Sequence, residues 1–188
     1  MKKLLTTGLL VGLAVSALAQ GQINLDNNLN TSTSPTATSG GLFFLDNGSG
    51  PALITVDFNA SFYGGSDAAS LVLLKTIAGA NAAGVNAFGP GTFTDLSGNF
   101  VSIPGALTSG FFRIDAWLGA SSDYQNATTR GQSAVFSNPL GNPQATPPGT
   151  PTDFTSMPAV ILTAVPEPST FALAGLGAAA LLIFRRRK

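Results

Sequence analysis

The chain has 188 residues, nine of them basic and nine acidic, with 44% hydrophobic residues, no histidine and no cysteine. The missing histidine removes the usual general base, the Ser-His-Asp triad and the commonest zinc ligand, while the missing cysteine removes disulfide staples and thiolate chemistry. Charged residues make up only 10% of the chain against about 25% in typical globular proteins, so the surface must be built largely from Ser, Thr, Asn and Gly.

At the N-terminus, Met1-Lys2-Lys3 opens a basic region, Leu4 to Leu18 is largely apolar, and Ala17 and Ala19 frame an A-x-A cleavage site before Gln20. Residues 1–19 therefore read as a secretory signal peptide and are set aside from the fold. Residues 20–164 are enough for one domain with a full hydrophobic interior. That segment holds three cations, Lys75, Arg113 and Arg130, against eight aspartates, a net charge of −5. An acidic body of this kind argues against nucleic acid, whose phosphates require a basic footprint. Four N-x-Ser/Thr sequons, at Asn30, Asn47, Asn59 and Asn126, read as chance in so Asn-, Ser- and Thr-rich a sequence.

The middle of the chain reads as strands. From Leu53 to Tyr63 the residues alternate, with Ile54, Val56, Phe58, Ala60 and Phe62 on one face and Thr55, Asp57, Asn59 and Ser61 on the other. Ser109 to Leu118 is a second strand, with Phe112, Ile114, Ala116 and Leu118 inward, and with Arg113 and Asp115 outward beside Phe111 and Trp117. Shorter strands are expected at 22–25, 42–45, 91–94, 99–103, 133–136 and 159–163, separated by Gly, Pro, Asn and Asp clusters. Residues 70–76 fit a buried strand or the start of a helix, and the strand is favoured. Residues 124–128 suggest a helical turn, and the proline-rich stretch 138–152 a loop. The spacing points to a mainly β fold, a single antiparallel β-sandwich domain.

Few residues suggest chemistry. Asp46-Asn47-Gly48-Ser49-Gly50 offers carboxylate, amide and hydroxyl oxygens suited to calcium, but matches no complete ligand loop and reads equally as an ordinary turn. Among the candidate contacts for a ligand are Trp117, Arg113 and Asp115, on which a sugar ring can stack while the carboxylate takes its hydroxyls. The competing reading makes Trp117 a core or covering residue and pairs Arg113 with Asp115. Arg130-Gly131 reads as a recognition loop or as the ion-pair partner of Asp123. The only glutamate is Glu167, so glycosidase chemistry would have to use two aspartates, with Asp57 and Asp115 as the strand-borne pair.

The C-terminal stretch is the most specific. Val165-Pro166-Glu167-Pro168-Ser169-Thr170 precedes an apolar run from Phe171 to Phe184, and Arg185, Arg186, Arg187 and Lys188 follow. The run would make about 21 Å of helix against about 30 Å of hydrocarbon, short for a permanent span. Pro166 and Pro168 disfavour helix before it, and the four cations place its end at the cytoplasmic surface. Triplet, apolar segment and basic stop together resemble the PEP-CTERM sorting signal of bacterial exported proteins. The resemblance implies that a membrane-embedded, exosortase-type protease recognises residues Pro166, Glu167 and Pro168, cuts near them and releases the protein to the cell surface or its exopolysaccharide matrix. The order Trp117, Tyr124, Arg130-Gly131-Gln132-Ser133 is also similar to a group of small uncharacterised PEP-CTERM proteins with an expected β-sandwich fold, and brings no known activity.

The expected organisation is a signal peptide at 1–19, a β-sandwich at 20–164, and a sorting signal with a short transmembrane helix at 165–188. The expected function is that of a non-catalytic surface or matrix protein with weak glycan contact, transiently anchored in the membrane. The alternative is a small exported polysaccharide hydrolase using aspartates.

Overall fold

Ten strands form among the described residues, and no helix does. The computed structural model describes residues 20–78, 89–95, 97–120 and 123–165, so the signal peptide read at 1–19 and the Pro-Glu-Pro segment, hydrophobic helix and basic stop read beyond Val165 lie outside them. In chain order the strands are β1 (Gly21–Ile23), β2 (Phe43–Asp46), β3 (Pro51–Leu53), β4 (Asn59–Gly65), β5 (Val72–Ile77), β6 (Val101–Ile103), β7 (Ser109–Trp117), β8 (Thr129–Gln132), β9 (Phe136–Pro139) and β10 (Val160–Ala164). β1 and β6 form a two-stranded antiparallel sheet, and the remaining eight form one large sheet in the order β3-β2-β10-β8-β7-β4-β5, with β9 also paired to β7.

The clean alternation at 53–63 does not make one strand. It is divided between β3 and β4, and Val56, expected inward, is 49% exposed in the connection between them. The reason lies in the strand order. β3 and β4 stand five places apart, about 24 Å in a flat sheet. The six steps from Leu53 to Asn59 reach at most about 22 Å even when fully extended. The large sheet must therefore curl, bringing β2 and β4 around one interior.

Phenylalanine fills that interior. Phe43 meets Phe58 at 4.5 Å between ring centroids, Phe62 meets Phe93 at 4.8 Å, and Phe112 meets Phe154 edge-on at 5.0 Å. The small sheet contributes Ile23 and Ile103 to the same cluster. On β7, Phe112, Ile114 and Ala116 point inward as the alternation requires, and the stretch read as strand or helix at 70–76 becomes the edge strand β5. The segment 124–128 is a turn, closed by the Ala127 amide donating to the Tyr124 carbonyl.

Three further features depart from the sequence reading. The large sheet is not wholly antiparallel, because β10 lies parallel to β2, with Val160 opposite Phe43 and Thr163 opposite Asp46. These strands are separated by most of the chain, so no hairpin forces them antiparallel. Of the strand expected at 133–136, residues 133–135 are a break between β8 and β9, and only Phe136 is in a strand, as the first residue of β9. β8 comes earlier because Gly131 lets β10 approach: a Cβ there would lie 2.0 Å from the Ile161 carbonyl oxygen. The expected loop at 138–152 begins late, since Asn138 and Pro139 end β9, and its Gly141 and Thr152 bridge back to Gln22 and Ile23 of β1.

β8 and β9 both pair with β7, on either side of a bulge. Asp115 to Phe112 is three steps on β7, whereas their partners Gln132 and Phe136 are four apart. Ser133 bridges the irregularity, its amide donating to the Ile114 carbonyl and its Oγ accepting from the Ile114 amide. A second bulge lies across β4, where consecutive Phe62 and Tyr63 face Lys75 and Leu73 of β5.

Candidate functional site

The two bulges flank the outer face of β7, where the polar candidates gather. Register aligns Thr76, Ser61, Asp115 and Gln132 in one row across β5, β4, β7 and β8, and Leu73, Tyr63 and Arg113 in the next. Arg113 and Asp115, two residues apart on one strand face, pair through Nε to Oδ1 at 3.1 Å and Nη2 to Oδ2 at 3.2 Å. Gln132 Nε2 donates to the same Oδ1 at 2.8 Å, and the Arg113 guanidinium lies 4.4 Å above the centre of the Tyr63 ring. The Asp115 side chain is 4% exposed and the Arg113 side chain 31%. The carboxylate is therefore engaged at both oxygens by a planar fork and an amide, while the guanidinium keeps an open side.

Trp117 follows on the same outer face and is only 2% exposed, as the reading of it as a core or covering residue requires, so it offers no open stacking platform. The aromatic that stands open near Arg113 is Phe111, 36% exposed, with Leu73 further along the face. Arg130 is not the partner of Asp123. It belongs to β8 and turns its Nη1 to the carbonyls of Tyr124, at 2.9 Å, and Gln125, with its guanidinium 5.1 Å from the Tyr124 ring centre. Burial lifts the Tyr124 phenol above its ordinary pKa, and the Asp115 charge adds to this against Arg130 and Arg113. Asp123 instead accepts from the amide of Asn126.

Asp57 and Asp115 are not brought together as a pair. Asp57 is exposed in the connection before β4, and the residue opposite Asp115 on that strand is Ser61. The turn considered for calcium uses its carboxylate locally, with Asp46 Oδ1 accepting from the amides of Gly48 at 2.8 Å and Gly50 at 3.2 Å. Both glycines have positive φ, which the turn requires. Asp26, Asp67, Asp95 and Asp123 also accept backbone amides two or three residues on. Much of the acidity of this domain is thus turn chemistry. Among the described residues no group of three or more Asp, Glu, His or Cys gathers as a metal site.

Sequence reasoning missed Tyr63 and Gln132, because cross-strand partners depend on a register that no local pattern encodes. It also missed three buried amides. Asn30 Nδ2 donates to the carbonyls of Gly41 and Phe154, Asn27 Oδ1 accepts from the Phe93 amide, and Asn138 Nδ2 donates to the carbonyl of Asp153. Asn30 and Asn59, two of the four sequon asparagines, are buried, so those two patterns carry no accessible acceptor.

The other candidate is the point where the chain leaves the sheet. β10 is an interior strand between β2 and β8, with Thr163 opposite Asp46 and Arg130, and Ala164 opposite Thr129. The next amide, of Val165, donates to the Thr128 carbonyl at 2.7 Å. A cleft of about 450 Å³ opens beside this exit, lined by Asp46, Asn47, Gly48, Thr129, Thr163 and Ala164.

No curated protein and no solved structure matches the chain. One family model does, the PEP-CTERM protein-sorting motif, over residues 164–188. The match begins on the last residue of β10 and takes in the Pro-Glu-Pro triplet, the apolar run and the basic end. The chain therefore carries a PEP-CTERM sorting motif, the mark of an exported protein routed through the membrane and sorted by an exosortase.

Proposed function

We propose that this protein is a non-catalytic component of the cell surface or extracellular matrix, a β-sandwich exported by an N-terminal signal peptide cleaved after Ala19 and released by removal of its C-terminal tail. The observation that carries the non-catalytic reading is the state of Asp115. The buried carboxylate of the outer-face cluster is held at both oxygens by Arg113 and Gln132, so it works as a brace and not as a free base. Turn-forming aspartates and an inventory without histidine support the same reading.

Weak glycan contact in this reading uses the open side of Arg113 and the exposed ring of Phe111, two residues earlier on the same face. An aromatic surface beside a cation suits the apolar face and hydroxyls of a sugar ring. The test is retention of the full chain in the polysaccharide fraction of its native host. Phe111→Ala should release the protein from that fraction while changing folding stability by less than about 1 kcal/mol, as expected for a half-open side chain. Unchanged retention would remove the glycan contact from this face. Liberation of sugar fragments by the purified protein would overturn the non-catalytic reading.

A further inference from the structure

The sorting motif begins with no spacer after the fold. Val160 and Leu162 are fully buried, Thr163 and Ala164 are paired on the large sheet, and Val165 is held by Thr128. The apolar run starts at Phe171, six steps beyond Val165. Six steps reach at most about 22 Å in any conformation. Whatever acts on the triplet at the membrane therefore works within that distance of the sheet rim from which β10 emerges.

That rim is well braced. Asp46 ties down the turn to Gly50, Arg130 holds the carbonyls of Tyr124 and Gln125, and Asp123 closes the turn to Asn126. The opposite end of the sheet is remote. On β7, Trp117 is level with Arg130 and Ser109 with Pro139, eight residues away, or about 26 Å along the strand. The loop that follows Leu140 continues from that far end.

We propose that this exit rim, formed by the turn after Asp46, the cleft beside Ala164 and the segment before Arg130, is the surface that contacts the membrane-embedded processing protease. The substrate is then the tail together with the folded rim from which it hangs. This inference rests on the sorting reading and adds the side of the domain that meets the enzyme.

The test places a photoreactive amino acid at Asn47, at Thr128 or, as a control on the far side, at Thr146, all exposed positions, in the full chain expressed in its native host. Irradiation should join the first two to the exosortase, identified by its own peptides in the adduct, and the third should not be joined. A Gly/Ser linker of about twelve residues inserted between Val165 and Pro166 should lower adduct yield at Asn47 and Thr128 roughly fivefold while the tail is still removed. Equal adducts at all three positions, adducts to lipid alone, or no adduct at Asn47 and Thr128 in cells that process the protein would overturn the inference. Retention of Lys188 on all of the protein, read by intact mass, would overturn the sorting reading and the inference with it.

Discussion

The two faces of β7 use the same nine residues to opposite ends. Inward, Phe112, Ile114 and Ala116 are fully buried in a phenylalanine-rich interior, where shape and close approach decide stability. Outward, Arg113 and Asp115 form a charged pair that Tyr63 and Gln132 complete from neighbouring strands. A buried ion pair contributes little net stability over a well-packed apolar pair, yet removing one partner alone is costly. The inner face should therefore be intolerant of added volume, and the outer face intolerant of half-measures.

The sharpest challenge to this contrast is Gly131, which pairs with Ala116. Gly131→Ala would drive a methyl into the Ile161 carbonyl, an atom that backbone pairing cannot yield. It should cost more than about 4 kcal/mol and leave β10 undocked, measured by the urea midpoint of the purified protein. A loss of less than about 1 kcal/mol would show that β8 and β10 can separate freely, and the close-approach argument would fail.

A smaller effect is expected outside. Arg113→Ala should cost about 2 kcal/mol, below the usual range for breaking a buried pair because the Arg113 side chain is 31% exposed. The double variant Arg113→Met/Asp115→Leu should recover most of that loss. If the double variant is worse than the single one, Asp115 stabilises through Gln132 alone and the pair is not the unit.

The smallest effect concerns an ion pair directed to the inner side. Lys75 sits opposite Phe62 on edge strand β5 and donates to Asp95 and to Ser97 Oγ. An inward-pointing lysine on an edge strand also discourages pairing with another chain. Burial would raise the Asp95 carboxyl pKa, but the hydrogen bonds from Lys75 and Ser97 and the Lys75 charge outweigh it and hold the value below normal. A depressed folded pKa contributes stability that is present above the unfolded value near 3.8 and is lost as pH falls through the folded value. Stability measured from pH 5 downward should therefore decline less steeply in Lys75→Met than in the parent. An identical slope in both would place the acid sensitivity elsewhere.

The same division runs through what could be read before the fold was seen. Alternation at 109–118 identified the inward residues of β7, and i, i+2 spacing put Arg113 beside Asp115, because both follow from the two-residue period of a strand. The equally clean pattern at 53–63 misled, since alternation cannot say where a chain crosses from one sheet flank to the other. Gly131 looked like a loop glycine because the strand that presses against it lies thirty residues downstream.

By itself, the sequence determined that this is a β-strand chain with turn-forming aspartates and a sorting motif over 164–188, because those properties reside in neighbouring residues. Only the tertiary structure decided that Tyr63 and Gln132 join the Arg113–Asp115 pair, that Trp117 is shut in, and that β10 lies parallel to β2 with the motif starting at its last residue. Those outcomes depend on register and on closing long loops, whose free energy is shared across the whole sheet and is written into no single segment.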